Sequence, residues 1–68
     1  MKEVAINLKA LRIKAGMTQK ELADELRVSL STYSNWEALK KGRRTPTIEM
    51  LTKIADVLNV SLDDIVGR

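Results

Sequence analysis

The sequence predicts an all-α fold, a compact bundle of five short helices. Three observations predict it. Apolar residues recur with a period near 3.6 between Gly16, Gly42 and Pro46, and nowhere with the strict alternation of a strand. The helix-starting residues Thr18, Ser29, Thr47 and Ser61 each stand just ahead of such a segment. The 68 residues are 44% hydrophobic, which supplies one core and therefore one domain over residues 1–68.

Helix 1 is predicted from about Lys2 to Ala15, with Val4, Leu8, Leu11 and Ala15 on one face and Gly16 ending it in a left-handed conformation. Thr18-Gln19-Lys20-Glu21 forms a capping box that starts helix 2, whose buried stripe is Leu22, Ala23 and Leu26. Val28 fills a tight turn and Ser29 caps helix 3, which presents Tyr33 and Trp36 inward. Leu39 continues that stripe, and the helix is predicted to run to Lys41 with Gly42 as its C-cap. Pro46 disfavours helix at Thr45, so helix 4 starts afresh at Thr47 with Ile48, Leu51, Ile54, Ala55 and Leu58 on one side. Asn59-Val60 makes a turn. Ser61 and Asp64 then cap helix 5, with Leu62 and Ile65 as its apolar contacts.

Composition removes several function classes. Cysteine and histidine are both absent, so there is no disulfide, no thiolate metal site and no imidazole base. No metal and no cofactor are expected. No Gly-rich phosphate loop or nucleophile motif occurs, and Asp63 and Asp64 sit where a helix start favours carboxylates, so the chain does not read as an enzyme. No apolar run reaches membrane-span length and no signal-peptide pattern opens the chain, which fits a cytoplasmic protein. Sixty-eight residues also leave no space for an inducer-binding domain, and no small-molecule ligand is expected.

Charge is distributed unevenly. Residues 1–44 hold ten Lys/Arg and five Asp/Glu, residues 45–68 two and four, so the halves carry +5 and −2. Lys40, Lys41, Arg43 and Arg44 form a cluster suited to neutralising phosphates, although charge alone reads equally well as a solvated loop. Two short helices joined by a three-to-four-residue turn, as in Gln19 to Glu37, can present the second to a DNA major groove.

The residues of that stretch carry a resemblance. Gln19-x-x-Leu22-Ala23-x-x-Leu26-x-Val28-Ser29 followed by Ser31-Thr32-x-Ser34-x-Trp36-Glu37 resembles the phage repressor and Cro helix-turn-helix family, of the XRE type. Leu11-Arg12 upstream and Pro46-Thr47-x-x-x-Leu51-x-x-Ile54-Ala55-x-x-Leu58-x-Val60-Ser61-Leu62 downstream are similar to it too, so the match covers nearly the whole chain. The resemblance implies a lambda-repressor-like DNA-binding domain, bacterial or phage and nucleoid-associated, that regulates transcription as a repressor. An antitoxin or a bridging protein-interaction module of the same fold is the alternative. Two departures stand out. Arg27 occupies a turn position where the family often has glycine. The stretch from Glu37 to Pro46 is longer than usual, and the extra residues Ala38-Leu39-Lys40 are expected to add a turn to helix 3.

The resemblance also implies roles. Gln19 contacts a phosphate or supports a residue that does. Leu30, Ser31, Ser34 and Asn35 match positions used at base edges and phosphates, and Thr32 bonds a phosphate or folds back on its own helix. Asn35 offers adenine a donor and an acceptor together. Leu30 either touches a thymine methyl or is a scattered surface leucine. Arg12 and Glu37 form an ion pair between helix 1 and the end of helix 3, and Lys40, Lys41, Arg43 and Arg44 read as phosphate ligands. The partner is double-stranded DNA. One helix reads only a few base pairs, so a homodimer on a palindromic operator is expected. Ile65, Val66 and Val57 are candidates for its contact, and Ile6 and Ile13 form either another such stripe or peripheral core.

Overall fold

The computed structural model describes residues 2–38 and 46–67, and within them the chain forms five helices: α1 (Lys2–Lys14), α2 (Gln19–Leu26), α3 (Leu30–Glu37), α4 (Ile48–Leu58) and α5 (Leu62–Val66). The four predicted starts are the observed ones. Thr18 accepts the Glu21 N–H at 3.0 Å while the Glu21 carboxylate accepts the Thr18 N–H at 2.9 Å, closing the capping box. The Thr18 backbone N–H, and after it the Thr18 hydroxyl, hold the Glu21 carboxyl below its ordinary range. Ser29, Thr47 and Ser61 accept the N–H groups of Thr32, Met50 and Asp64, and the Asp64 carboxylate returns a bond to Ser61.

Helix ends are set by left-handed residues. Gly16 follows α1 at φ +74°, and Asn59 closes α4 at φ 57°. The glycine-for-arginine departure leaves the turn geometry intact: Arg27 adopts φ 59° and ψ 41°, and its N–H bonds the carbonyls of Ala23 and Asp24. A side chain in that region costs about 1 kcal/mol, which the surrounding helices absorb.

Packing runs α2 on α3, α1 on both α3 and α5, and α4 on both α2 and α5. Val4, Leu8, Leu22, Tyr33, Leu51, Ile54 and Ile65 meet at the centre, each almost wholly removed from water. Asn7 ties α1 to α5 by donating its side-chain N–H to the Ile65 carbonyl at 2.9 Å. No helix among the described residues is long and apolar enough to cross a membrane.

Several expectations need correcting. Helix 3 does not continue to Lys41: α3 ends at Glu37, and Ala38 is extended at φ −76°, ψ 137°, with its N–H bonded to Asn35 O. Glu37 is drawn inward by partners on other elements, and that tertiary anchoring overrides the helical propensity of Ala38. Leu39 and Gly42 lie outside the described residues. Ala15 lies beyond α1 and is exposed, and Trp36 packs against the core as expected but stays half-buried. Ile48 is 67% exposed because it occupies the first turn of α4, at the margin of the packed face. Ile65 is fully buried core, so it is no contact for a second chain, and Val57 and Val66 are half-buried against the same core. Ile6 and Ile13 are exposed, which removes the peripheral-core reading.

Candidate nucleic-acid interface

The site begins with the bracket that holds α3. Arg12 on α1 donates from Nε to Glu37 Oε2 at 2.7 Å and from Nη2 to Oε1 at 3.2 Å, a two-pronged pair whose planar fork matches the carboxylate. Its Nη1 donates to the Met17 carbonyl at 2.7 Å, which fixes the guanidinium to the chain just ahead of α2. Gln19, the first residue of α2, donates from Nε2 to Glu37 Oε1 at 3.0 Å. One carboxylate thus joins the end of α1, the start of α2 and the end of α3. The Arg12 and Glu37 side chains retain only 11% and 3% of their exposure.

Opposing effects act on Glu37. Burial pushes its carboxyl up, but Arg12 first, then the neighbouring Tyr33 hydroxyl and the Gln19 amide, outweigh it, and the carboxyl ends below its ordinary range. Arg12 is held above its ordinary value chiefly by the same hydrogen bond, with burial opposing. The Tyr33 hydroxyl lies beside this pair. Burial first, then its polar approach to the Glu37 carboxylate, raises its phenol well above the ordinary value, yet no described residue lies in good hydrogen-bonding geometry to it. A buried hydroxyl without a partner costs about 1–3 kcal/mol. Tyr33→Phe therefore leaves the melting temperature unchanged or raises it; thermal unfolding checks this, and a clear drop would mean the hydroxyl has a working partner.

The bracket leaves one side of α3 to solvent. Tyr33 and Glu37 point inward, and Trp36 packs edge-on to Tyr33 with ring centroids 5.9 Å apart at 74°. Ser31 and Asn35, four residues apart, form the centre line of the opposite side, with Thr32 and Ser34 flanking them. Ser31, Thr32, Ser34 and Asn35 therefore share the outward side of one helix, while Leu30, 46% exposed, stands in its first turn on the same side as Glu37.

The other predicted residues fall differently. Gln19 engages Glu37, so it acts as a support for α3 in this structure. Thr32 folds back: its Oγ1 accepts from Ser29 Oγ at 2.8 Å while its N–H donates to the same Ser29 oxygen at 3.0 Å. Lys40, Lys41, Arg43 and Arg44 lie outside the described residues. Sequence reasoning missed the Met17 carbonyl as a third anchor for Arg12, since a backbone group leaves no residue-type signal.

Comparisons with known proteins agree with this geometry. A family model described as helix-turn-helix matches residues 8–65, from within α1 to within α5. The chain is 45% identical over 51 residues to the cryptic phage CTXphi transcriptional repressor RstR of Vibrio cholerae serotype O1, covering 75% of this chain and 43% of that protein. It is 39% identical over 61 residues to the HTH-type transcriptional regulator ImmR of Bacillus subtilis, covering 90% of this chain and 46% of ImmR. A third relative, the HTH-type transcriptional regulator AnsR of Bacillus subtilis, is 34% identical over 61 residues, 90% of this chain and 50% of AnsR. The chain spans about half the length of these relatives. With the match running through the α2–turn–α3 unit and the helices that brace it, this chain belongs to the helix-turn-helix family that includes phage repressors.

Proposed function

We propose that this chain is the DNA-reading unit of a transcriptional regulator, a repressor, which binds double-stranded DNA sequence-specifically with α3 in the major groove. The observation that carries the reading is the polar outward strip of α3, Ser31, Thr32, Ser34 and Asn35, on a helix locked at its far end by Arg12 and Gln19. A groove-reading helix must hold its angle while the DNA pulls on its side chains, and the bracket supplies that rigidity.

The roles follow from chemistry. Asn35 pairs with an adenine edge through its amide. Ser31 and Ser34 bond base edges or phosphates. Thr32 uses the hydroxyl proton left over from its bond with Ser29 to donate to a phosphate. Leu30 packs on a thymine methyl. Lys40, Lys41, Arg43 and Arg44 neutralise phosphates beside the groove, as the +5 charge of the first 44 residues suits. The regulator works in the cytoplasm as a homodimer on a palindromic operator, because one α3 reads too few base pairs for useful specificity.

The experiment is selection of binders from a random duplex DNA pool at near-physiological salt. An enriched inverted repeat with half-sites about one helical turn apart is the expected result. A pool that emerges without enrichment overturns the reading and favours a protein-interaction role on the same fold. On the enriched site, Leu30→Ala lowers discrimination at one thymine-bearing position and leaves the rest of the preference intact. Unchanged preference at every base pair would return Leu30 to the class of ordinary surface leucines.

A further inference from the structure

The outward side of α3 carries no ionised group. Its residues are Ser31, Thr32, Ser34 and Asn35, and the one charged side chain on the helix, Glu37, is buried in its pairing with Arg12. A guanine is singled out by arginine or lysine donating to O6 and N7 together, and a cytosine by a carboxylate accepting from N4. Neither kind of group stands on that side. A hydroxyl gives or takes a single bond and suits any base pair, so Ser31, Thr32 and Ser34 add contact and discriminate little. The Asn35 amide alone sets a donor beside an acceptor, the pattern that adenine N7 and N6 complement.

The described cations that flank this unit are engaged elsewhere. Arg12 holds Glu37 and the Met17 carbonyl. Lys20 pairs with Asp24 on α2 at 3.3 Å. Arg27, between α2 and α3, lines a cleft with Lys53, Asp56 and Val57 of α4. Lys40, Lys41, Arg43 and Arg44 are assigned above to phosphates, which carry no sequence information. The thymine methyl assigned to Leu30 belongs to an A·T pair.

We propose that the half-site beneath α3 is defined by A·T pairs: Asn35 specifies adenine at one position, and no base pair read by α3 is specified as G·C. The proposal rests on the DNA-reading role given above and names the class of duplex which that role selects. Guanine is excluded as a determinant because α3 has nothing to place against its paired acceptors, and not because any side chain repels it.

The test uses the whole chain and the duplex recovered by selection. Binding of the parent and of Ser31→Ala, Thr32→Ala, Ser34→Ala and Asn35→Ala to every single-base variant locates the pairs that α3 reads, as those whose preference changes. Circular dichroism melting shows that each variant is folded. One adenine is expected to be preferred roughly tenfold or more by the parent and to lose that preference in Asn35→Ala. Replacing that adenine by 7-deazaadenine, which lacks the N7 acceptor, weakens the parent roughly fivefold or more and Asn35→Ala no further. A G·C pair preferred by the parent and released by any of the four substitutions overturns the proposal while leaving the DNA-reading role in place. Indifference of the parent to 7-deazaadenine does the same. A selection without enrichment overturns both together.

Discussion

Arg12→Ala and Glu37→Ala each lower the melting temperature by roughly 10–40 °C, with Arg12→Ala the more severe. Breaking a buried ion pair by deleting one partner costs about 3–5 kcal/mol when burial is complete, and a domain of this size loses roughly 4–8 °C per kcal/mol. The Arg12 side chain keeps 11% of its exposure, against 3% for Glu37, and retains the Met17 carbonyl. The arginine left behind therefore recovers some hydration, whereas the more deeply buried Glu37 carboxylate loses both guanidinium bonds and keeps the Gln19 amide. Glu37→Ala destabilises the fold more than it alters base preference, because Glu37 points inward and supports α3 without lying on its outward strip. Parent-like melting of both variants would remove the bracket from the account of stability.

Acid separates Arg12→Ala from the parent. In the parent, the folded Glu37 carboxyl lies below its ordinary value of 4.5, so the pair's stabilisation is complete above that value. It fades as the pH falls from there through the folded-state value, since the unfolded chain binds the proton more readily. In Arg12→Ala the chief hydrogen bond and the attraction of the guanidinium are gone, so burial, which raises the carboxyl, is opposed only by Tyr33 and Gln19. The folded-state value moves up toward the unfolded one, and the variant loses less of its remaining stability on acidification than the parent does. Melting curves at a series of pH values check both slopes, and parallel profiles would sink the argument.

Asn35→Ala lowers affinity for the selected operator by roughly 10–100-fold and relaxes preference at one base pair. Asn35 lies one turn below Ser31 on the outward centre line of α3, half-buried, where an amide can reach the groove floor without leaving its helix. Binding measured against every single-base variant of the operator distinguishes base reading from phosphate contact. A loss that is uniform across sequences would move Asn35 to the phosphate group and leave specificity to Ser31, Ser34 and Leu30. No loss at all would place α3 outside the groove.

Much of the fold was legible because its signals are local. Thr18 and Ser61 with their acidic partners, Ser29 and Thr47 as caps, and Gly16 as a stop each act within one turn of chain, so residue type and spacing suffice. The outward residues of α3 were legible for the same reason: helical period separates Ser31 and Asn35 from Tyr33 and Glu37.

By itself the sequence determined the number of helices, the places where they begin, and the Arg12–Glu37 pairing that its family resemblance implied. The tertiary structure decided the rest. Where α3 stops depends on Glu37 being held by α1 and α2, although Ala38 after it favours helix locally. Whether an apolar side chain is buried depends on which neighbour covers it: Ile65 lies beneath α1 while Ile6, Ile13 and Ile48, no less apolar, face water. The duty of Gln19 was decided by a carboxylate eighteen residues away. Periodicity reports the direction a side chain takes from its own helix, and only the assembled helices determine what it meets there.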